Sequence, residues 1–367
     1  MRYFDLYSSA SSAGTGNQHF FVTEDHEAAY TARVFYRLNV SGTHDLSLLF
    51  SNIIDSTYAN GAVSHKNRLC GEWEILRGRV AVCENCTVSQ MPRADDFLPL
   101  TFRGSERKTV APGEFYTTDE FRMTIAENQY LCIELTFRGR EIPYHEEAQI
   151  PVFRLTNGEW IPDRRIPLPG MIGCRRNVKA RLGFIGDSIT QGCGTTPNSY
   201  THYAARLPAL LGNEYSYWDL GLGFGRANDA ASDGAWLYKA KQVDLITVCY
   251  GVNDLLQGFS VEQIKKDLYT IVKTLKDNGQ TVILQTVPPF DYGEYHTPLW
   301  REVNRYIKEE LAPLSDGLFD VVPILGRDEP NANLSRFGSH PSDEGHRLWA
   351  EALAKFLREI LKKRGES

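Results

Sequence analysis

No run of the sequence approaches the roughly 20 apolar residues that a membrane-spanning helix requires. The first residues carry an acidic side chain at Asp5 and lack an apolar core of signal-peptide length, so we expect a cytoplasmic protein. An excess of positive charge is also missing, because 46 acidic residues outnumber 40 basic ones and give a net charge of −6. This balance argues against nucleic-acid and anionic membrane partners.

Cysteine is scarce, and its seven residues form an odd, scattered set that suits reduced thiols better than a disulfide framework. Cys83 and Cys86 form a single CxxC pair, and Cys70 lies too far away to complete a familiar zinc spacing. A dinucleotide site is disfavoured as well, because Arg226 occupies the third glycine position of the Gly-x-Gly-x-x-Gly pattern. We therefore expect neither a metal ion nor a cofactor.

Length and a change of sequence texture predict two domains. A chain of 367 residues is longer than one hydrophobic core usually serves. From about residue 20 to 152, short alternating runs of aromatic and β-branched residues predict an all-β sandwich. Five prolines between residues 141 and 173 indicate an irregular connector. We place the β-sandwich domain with its connector at residues 1–172 and a second domain at residues 173–367.

Strands and helices alternate along the second domain, which predicts an α/β fold with a parallel sheet covered by helices on both faces. A capping box at Ser260 and the stop signal Asn278-Gly279 delimit one of these helices. The active site of such a sheet lies at the carboxyl ends of its strands. The predicted strands are residues 180–185, 215–220, 245–250, 281–285 and 319–324, and the predicted helices are residues 200–211, 229–239, 261–278, 298–312 and 343–363.

Polar or glycine-rich turns follow the first three predicted strands. Ser188 falls where a helix is predicted to begin, and its neighbour Asp187 has a structural interpretation as the helix cap. The unpaired N–H groups of a helix start can also stabilise an oxyanion. The second turn is rich in glycine, and the third holds Asn253. A serine hydroxyl needs a base within hydrogen-bond reach. His340, in a loop before a proline, is a better candidate for this base than His346, which falls inside a predicted helix.

These four segments, in this order, resemble the sequence blocks of the SGNH, or GDSL-type, serine hydrolases. The resemblance covers roughly the C-terminal half of the chain and implies a flavodoxin-like, three-layer fold. It implies that Ser188 is the nucleophile and that His340 acts as general base and then as acid. It also implies an oxyanion hole formed by the Ser188 backbone N–H, a glycine of the second turn and the Asn253 side-chain amide. For that glycine, Gly225 is preferred over Gly223.

The chain departs from the family pattern three residues before the histidine, where Phe337 stands in place of the acid. Phenylalanine cannot accept a hydrogen bond from an imidazole. Two arrangements remain open: a Ser-His dyad oriented by a backbone carbonyl, or a triad completed by Asp328 or Glu329 from the preceding loop.

A third arrangement moves the catalytic pair further along the chain. Asp343 and His346 also satisfy the Asp-x-x-His spacing of the family. We rank this pair last, because a helix dipole already explains an acidic residue at position 343 and because His346 lacks the following proline.

The N-terminal domain resembles, more loosely, the jelly-roll domain that precedes the catalytic domain in some SGNH carbohydrate esterases. The pairing predicts a serine esterase that removes short acyl groups, acetyl foremost, from a small-molecule or oligosaccharide ester. A cytoplasmic location favours imported oligosaccharides over polymer. One alternative is a lipase or acyl-thioesterase of the same family. Another is a carbohydrate-binding protein with an inactive hydrolase domain, for which Phe337 is the main support.

Overall fold

The computed structural model describes residues 3–13, 16–22, 25–59, 63–145, 147–326, 332–336 and 339–365. The chain divides into two compact units, Met1–Val178 and Lys179–Ser367. The predicted boundary at residues 172 and 173 is too early, because it cuts the strand Met171–Cys174, which pairs with Gly42–Ser51 of the first unit. Within the described residues, no helix is both long and apolar enough to cross a membrane.

The first unit is built from antiparallel β-sheets, which confirms the prediction of an all-β region. Its central strand is Tyr130–Gly139, in which alternate residues such as Leu131 and Ile133 are fully buried on one face. One sheet has the described strands Ser8–Ser9, Met171–Cys174, Gly42–Ser51, Phe115–Thr117 and Phe121–Ile125, and the other has Glu159–Pro162, Val152–Thr156, Tyr30–Arg37, Tyr130–Gly139, Trp73–Cys83, Leu98–Leu100 and Lys108–Val110. Two further sheets of two antiparallel strands pair His19–Phe21 with Ile142–Tyr144 and Ile53–Ala59 with Val63–Leu69.

Aromatic rings join the two larger sheets of this unit. Tyr116 of one sheet lies 6.3 Å, between ring centroids, from Trp73 of the other. Phe50 stacks on Tyr116 at 5.1 Å, and Phe137 meets Trp73 edge to face at 6.2 Å. These aromatic side chains therefore fill the core between the sheets. The jelly-roll topology stays a prediction.

The second unit contains a parallel sheet of five strands, which confirms the predicted α/β fold. In chain order the strands are arranged 2-1-3-4-5, the flavodoxin-like order. The fifth strand lies earlier in the chain than predicted and is shorter: it spans Gly317–Phe319, and a helix containing Pro323 follows at Val322–Leu325, where the strand was expected to continue. Across the sheet the strands are Tyr215–Gly221, Ala180–Gly186, Leu245–Cys249, Thr281–Gln285 and Gly317–Phe319.

The helices of this unit follow the predicted pattern with two main differences. The helix predicted at residues 298–312 begins earlier, at Gly293, and contains Pro298 in its interior. The predicted helix at residues 229–239 is divided into two, because Asp233 between them has a left-handed backbone with φ +52°. The helix at Val261–Asp277 begins as predicted, with the Gln263 N–H donating to Ser260 Oγ at 3.2 Å. The described helices are Ser188–Gln191, Tyr203–Leu211, Ala227–Ala230, Ala235–Ala240, Val252–Leu256, Val261–Asp277, Gly293–Tyr306 with a π turn at Ile307–Leu311, Val322–Leu325 and Asp343–Gly365.

The last helix is held on the sheet by a buried aromatic stack. The ring of Trp349 lies 4.4 Å from that of Tyr203, with 8° between the ring planes. The indole N–H of Trp349 donates to Gln285 Oε1, on the fourth strand, at 2.9 Å. The start of this helix, and the segment that precedes it, are thereby fixed near the carboxyl edge of the sheet.

Candidate active site

Ser188 lies at the sharp transition from the first parallel strand to a one-turn helix. Asp187 caps that helix, because its Oδ1 accepts a hydrogen bond from the Ile189 N–H at 2.9 Å. The turn needs Gly186, since a Cβ there would lie 2.1 Å from Thr190 Oγ1. The capping role thus belongs to Asp187, which leaves the half-buried Ser188 side chain for another purpose.

The structure brings His340 to Ser188. Ser188 Oγ lies 2.8 Å from His340 Nε2, which is the hydrogen-bond distance of a nucleophile and its base. The backbone of His340–Pro341 pairs antiparallel with Ser335–Arg336, which fixes the main chain of the histidine.

Phe290 also contacts the histidine, although no sequence motif marks this residue. Its ring meets the His340 imidazole nearly edge to face, with the centroids 5.2 Å apart and 82° between the planes. Phe290 follows the fourth parallel strand, whose end points to the same edge of the sheet as the other turns. A position shortly after a predicted parallel strand is the sequence feature that could have indicated a site residue here.

Asn253 is placed by the third turn, in the first turn of the helix Val252–Leu256. One N–H of its side-chain amide donates to the Gly225 carbonyl at 3.0 Å. An amide nitrogen carries two N–H groups, so the second remains to donate elsewhere. The hydrogen bond to Gly225 holds this half-buried amide in a fixed orientation, which an oxyanion donor requires.

The prediction for Gly225 needs correction. Its N–H closes a turn by donating to the Leu222 carbonyl at 2.9 Å, so it does not point to an oxyanion. Gly225 instead supplies the carbonyl that orients Asn253. A side chain would not fit there, because a Cβ would lie 2.7 Å from both the Leu222 carbonyl oxygen and the Trp236 ring.

Two carboxyl groups near the strand ends, those of Asp187 and Asp254, are buried. Asp254 accepts hydrogen bonds from the N–H groups of Ala227 at 3.0 Å and Asn228 at 3.4 Å, which ties the third turn to the segment after the second. Burial, aided by the negative charge of Asp229, raises the pKa of the Asp254 carboxyl to about 7. Burial likewise raises the pKa of the Asp187 carboxyl to about 7, with the charge of Asp254 adding to the effect.

The alternative pair of Asp343 and His346 is wrong. His346 is fully buried, its ring stacks with Trp349, and its Nδ1 accepts a hydrogen bond from the Tyr203 N–H at 3.2 Å. Burial lowers the pKa of the His346 imidazole well below its ordinary value. The Asp343 carboxylate accepts hydrogen bonds from Thr196, and it does not serve as an acid for a histidine.

The other proposed acids, Asp328 and Glu329, lie outside the described residues, as does Phe337. A loop carboxylate that orients His340 therefore stays a prediction, beside the simple dyad. Among the residues that the structure describes, no group of three or more His, Cys, Asp or Glu side chains is arranged to hold a metal ion.

A serine within hydrogen-bond distance of a histidine at the carboxyl edge of a parallel sheet, with an oriented amide after a neighbouring strand, has the geometry of a serine hydrolase site. Residues 184–348 match the sequence model of the GDSL-like lipase/acylhydrolase family. The matched segment lies within the second unit and contains Ser188, Asn253 and His340. Residues 184–348 are therefore a GDSL-like lipase/acylhydrolase domain, which makes the protein a carboxylic ester hydrolase.

Solved structures with a similar fold each align with about half of this chain. A catalytic mutant of an acetylxylan esterase from Geobacillus stearothermophilus is 22% identical, with 50% of this chain and 95% of that one covered and a TM-score of 0.41. A lipolytic G-D-S-L family protein from Veillonella parvula is 21% identical, with 48% of this chain and 96% of that one covered and a TM-score of 0.42. A psychrotrophic esterase from Pseudoalteromonas is 17% identical, with 50% of this chain and 98% of that one covered and a TM-score of 0.41. No curated protein matches the sequence.

Proposed function

We propose that this protein hydrolyses short acyl esters, acetyl foremost, carried by a small molecule or an oligosaccharide. The observation that supports hydrolysis best is the 2.8 Å separation of Ser188 Oγ and His340 Nε2. A serine this close to an imidazole can lose its proton as it attacks, which is the requirement for covalent catalysis.

The proposed reaction has two steps. In the first, Ser188 Oγ attacks the ester carbonyl while His340 Nε2 takes the hydroxyl proton, and the alcohol leaves with that proton as the acyl-enzyme forms. In the second, His340 takes a proton from water, the resulting hydroxide attacks the acyl carbon, and the carboxylic acid leaves as Ser188 recovers its proton. The negative charge on the carbonyl oxygen develops in both steps, where the Asn253 amide and the Ser188 N–H would stabilise it.

Two features support a short acyl group on a carbohydrate. The hydrolase unit is joined to an antiparallel β unit, the pairing that the sequence resemblance associates with carbohydrate esterases. Long acyl chains need a continuous apolar groove. Among the described residues of the second unit, the exposed large apolar side chains are instead dispersed over separate helical segments, at Leu256, Tyr269, Tyr295 and Leu314.

Labelling with a fluorophosphonate tests the nucleophile directly. We expect the full chain to react and Ser188→Ala not to react. Ser315→Ala is a matched control, because Ser315 precedes the fifth strand and lies at the opposite edge of the sheet. An unlabelled wild-type chain would instead support a binding protein with an inactive hydrolase unit.

Substrate class is tested by acyl length. We expect p-nitrophenyl acetate to be cleaved faster than the palmitate ester, and acetate to be released from acetylated xylo-oligosaccharides. A preference for the palmitate ester or for acyl thioesters would contradict the acetylesterase proposal and support the lipase or thioesterase alternative.

A further inference from the structure

The loop of residues 192–202, here named the seating loop, joins the nucleophile helix to the next helix and lies against the base. Gly194 in this loop has a left-handed backbone with φ +93°. A Cβ at Gly194 would lie 2.6 Å from the Cβ of His340 and 2.7 Å from the carbonyl oxygen of Pro341. The backbone of the seating loop is therefore in direct contact with the backbone of His340.

Asp343 binds the seating loop from the start of the last helix. Its carboxylate accepts hydrogen bonds from the Thr196 N–H at 3.0 Å, from the Thr196 hydroxyl at 2.6 Å and from the Thr201 hydroxyl. Burial alone would raise its pKa, but the hydrogen bonds from Thr196 and Thr201 hold the pKa of the Asp343 carboxyl below its ordinary value. The ionised carboxylate makes these hydrogen bonds stronger than neutral ones.

The C-terminal end of the seating loop is held on the sheet by a buried pair. His202 Nε2 lies 3.1 Å from Asp219 Oδ2, at the end of the second parallel strand, and both side chains are buried. Gly192, at the start of the loop, packs against His202, since a Cβ there would lie 2.8 Å from the His202 Cβ. The loop is thus fixed at its ends, and Asp343 holds the part that contacts the base.

We infer that Asp343 is a positioning residue for His340, which acts through the seating loop and not through the imidazole. Asp343 follows His340 by three residues, so the same short segment carries the base and grips the loop that supports it. Loss of the carboxylate removes the hydrogen bonds that hold the loop at Thr196 and Thr201. The packing of Gly194 against His340 is then no longer fixed. The inference rests on the proposed function, because positioning His340 matters only if it activates Ser188.

Substitution of Asp343 separates this role from a general effect of an acidic residue at a helix start. We expect Asp343→Ala to lower kcat about 10- to 100-fold with little change in KM, because a displacement of about 1 Å costs up to 10²-fold in rate. Asp343→Asn keeps one acceptor oxygen and should fall between wild type and alanine. Glu344→Ala is the matched control: Glu344 lies in the same first turn, is exposed, and pairs with Arg347. Its kcat should equal that of wild type.

The threonines provide a second test, which holds even where Asp343→Ala fails to fold. Thr196→Val and Thr201→Val remove one hydroxyl each at nearly constant volume. Each should lower kcat and slow fluorophosphonate labelling by the same factor, without a change in KM. Because they act through the same carboxylate, either should add little to the loss in Asp343→Ala.

The outcomes distinguish the two proposals. A wild-type chain that neither cleaves esters nor reacts with the fluorophosphonate overturns the proposed function, and the inference with it. An active wild-type chain overturns the inference alone if folded Asp343→Ala keeps its kcat, if the loss appears only in KM, or if Glu344→Ala loses as much. If Asp343→Ala does not fold, the two valine variants decide: an unchanged kcat in both Thr196→Val and Thr201→Val overturns the inference.

Discussion

Ser188 Oγ and His340 Nε2 lie 2.8 Å apart although the two residues are 152 positions apart in the chain. The parallel sheet makes this possible, because it delivers the ends of non-adjacent segments to one edge. The serine follows the first strand, and the histidine immediately precedes the last helix.

The two residues should act as one unit. We expect Ser188→Ala and His340→Ala each to lower kcat about 10⁴-fold or more, since neither half of the pair works without the other. The double variant should be no slower than the slower single variant. Hydrolysis of p-nitrophenyl acetate measures this, and additive losses in the double variant would contradict a coupled pair.

Asn253 should affect the transition state more than the bound substrate. Removal of one oxyanion donor costs about 10²–10³ in kcat, so Asn253→Ala should lose activity in that range with little change in KM. Asn278→Ala is the control, because Asn278 caps a helix just before the fourth strand, at the opposite edge of the sheet, and its amide donates to the Lys241 carbonyl. A rise in KM with unchanged kcat would show that Asn253 binds substrate and does not stabilise the oxyanion.

Asp254 should make stability fall as pH rises. Its pKa is 3.8 in an ordinary setting and about 7 when folded. Between these values the folded chain keeps a proton that the unfolded chain releases, so its contribution is fully present below pH 3.8 and is lost by about pH 7. Asp254→Asn cannot titrate, and its free energy of unfolding relative to wild type should increase from pH 5 to pH 8.

Urea unfolding at several pH values measures this difference. Asp277→Asn is the control, because that carboxylate lies on an exposed helix face and pairs with Lys273. Parallel pH profiles for wild type and Asp254→Asn would contradict a raised pKa at this position.

Gly221 should tolerate no side chain. A Cβ there would lie 2.3 Å from the Gln191 nitrogen and 2.7 Å from the Thr190 carbonyl carbon, which are backbone atoms of the nucleophile helix. We expect Gly221→Ala to lower the free energy of unfolding by about 1–3 kcal/mol and to reduce activity by displacing that helix. Thermal unfolding and ester hydrolysis measure both effects. Gly365→Ala, where no atom lies within 4 Å of the new Cβ, should change neither.

The sequence predicted the main site residues because each follows, or lies close to, a recognisable element. Ser188 and Asn253 follow buried apolar strands, and His340 precedes the strong start signals of the last helix. Side chains at these positions lie at the same edge of a parallel sheet. The order of the motifs therefore carried most of the information about the site.

Features that depend on individual backbone hydrogen bonds could not be predicted in this way. The Gly225 N–H donates to the Leu222 carbonyl. Every residue has a backbone carbonyl, so the sequence does not indicate which one accepts this hydrogen bond. The grip of Asp343 on Thr196 and Thr201 joins three common polar residues across some 145 positions without a pattern. Asp233 breaks a helix through its backbone conformation, and its residue type alone does not demand this.

The stack of Trp349 on Tyr203 has a consequence for biosynthesis. Ser188 leaves the ribosome long before the helix that seats its base, and that helix docks only after Trp349 has been made. A chain that stops before this tryptophan contains all five parallel strands and the nucleophile turn, but it lacks the stack that docks the last helix beside His340. The geometry of the base therefore depends on a contact made by a residue that is synthesised after all five strands.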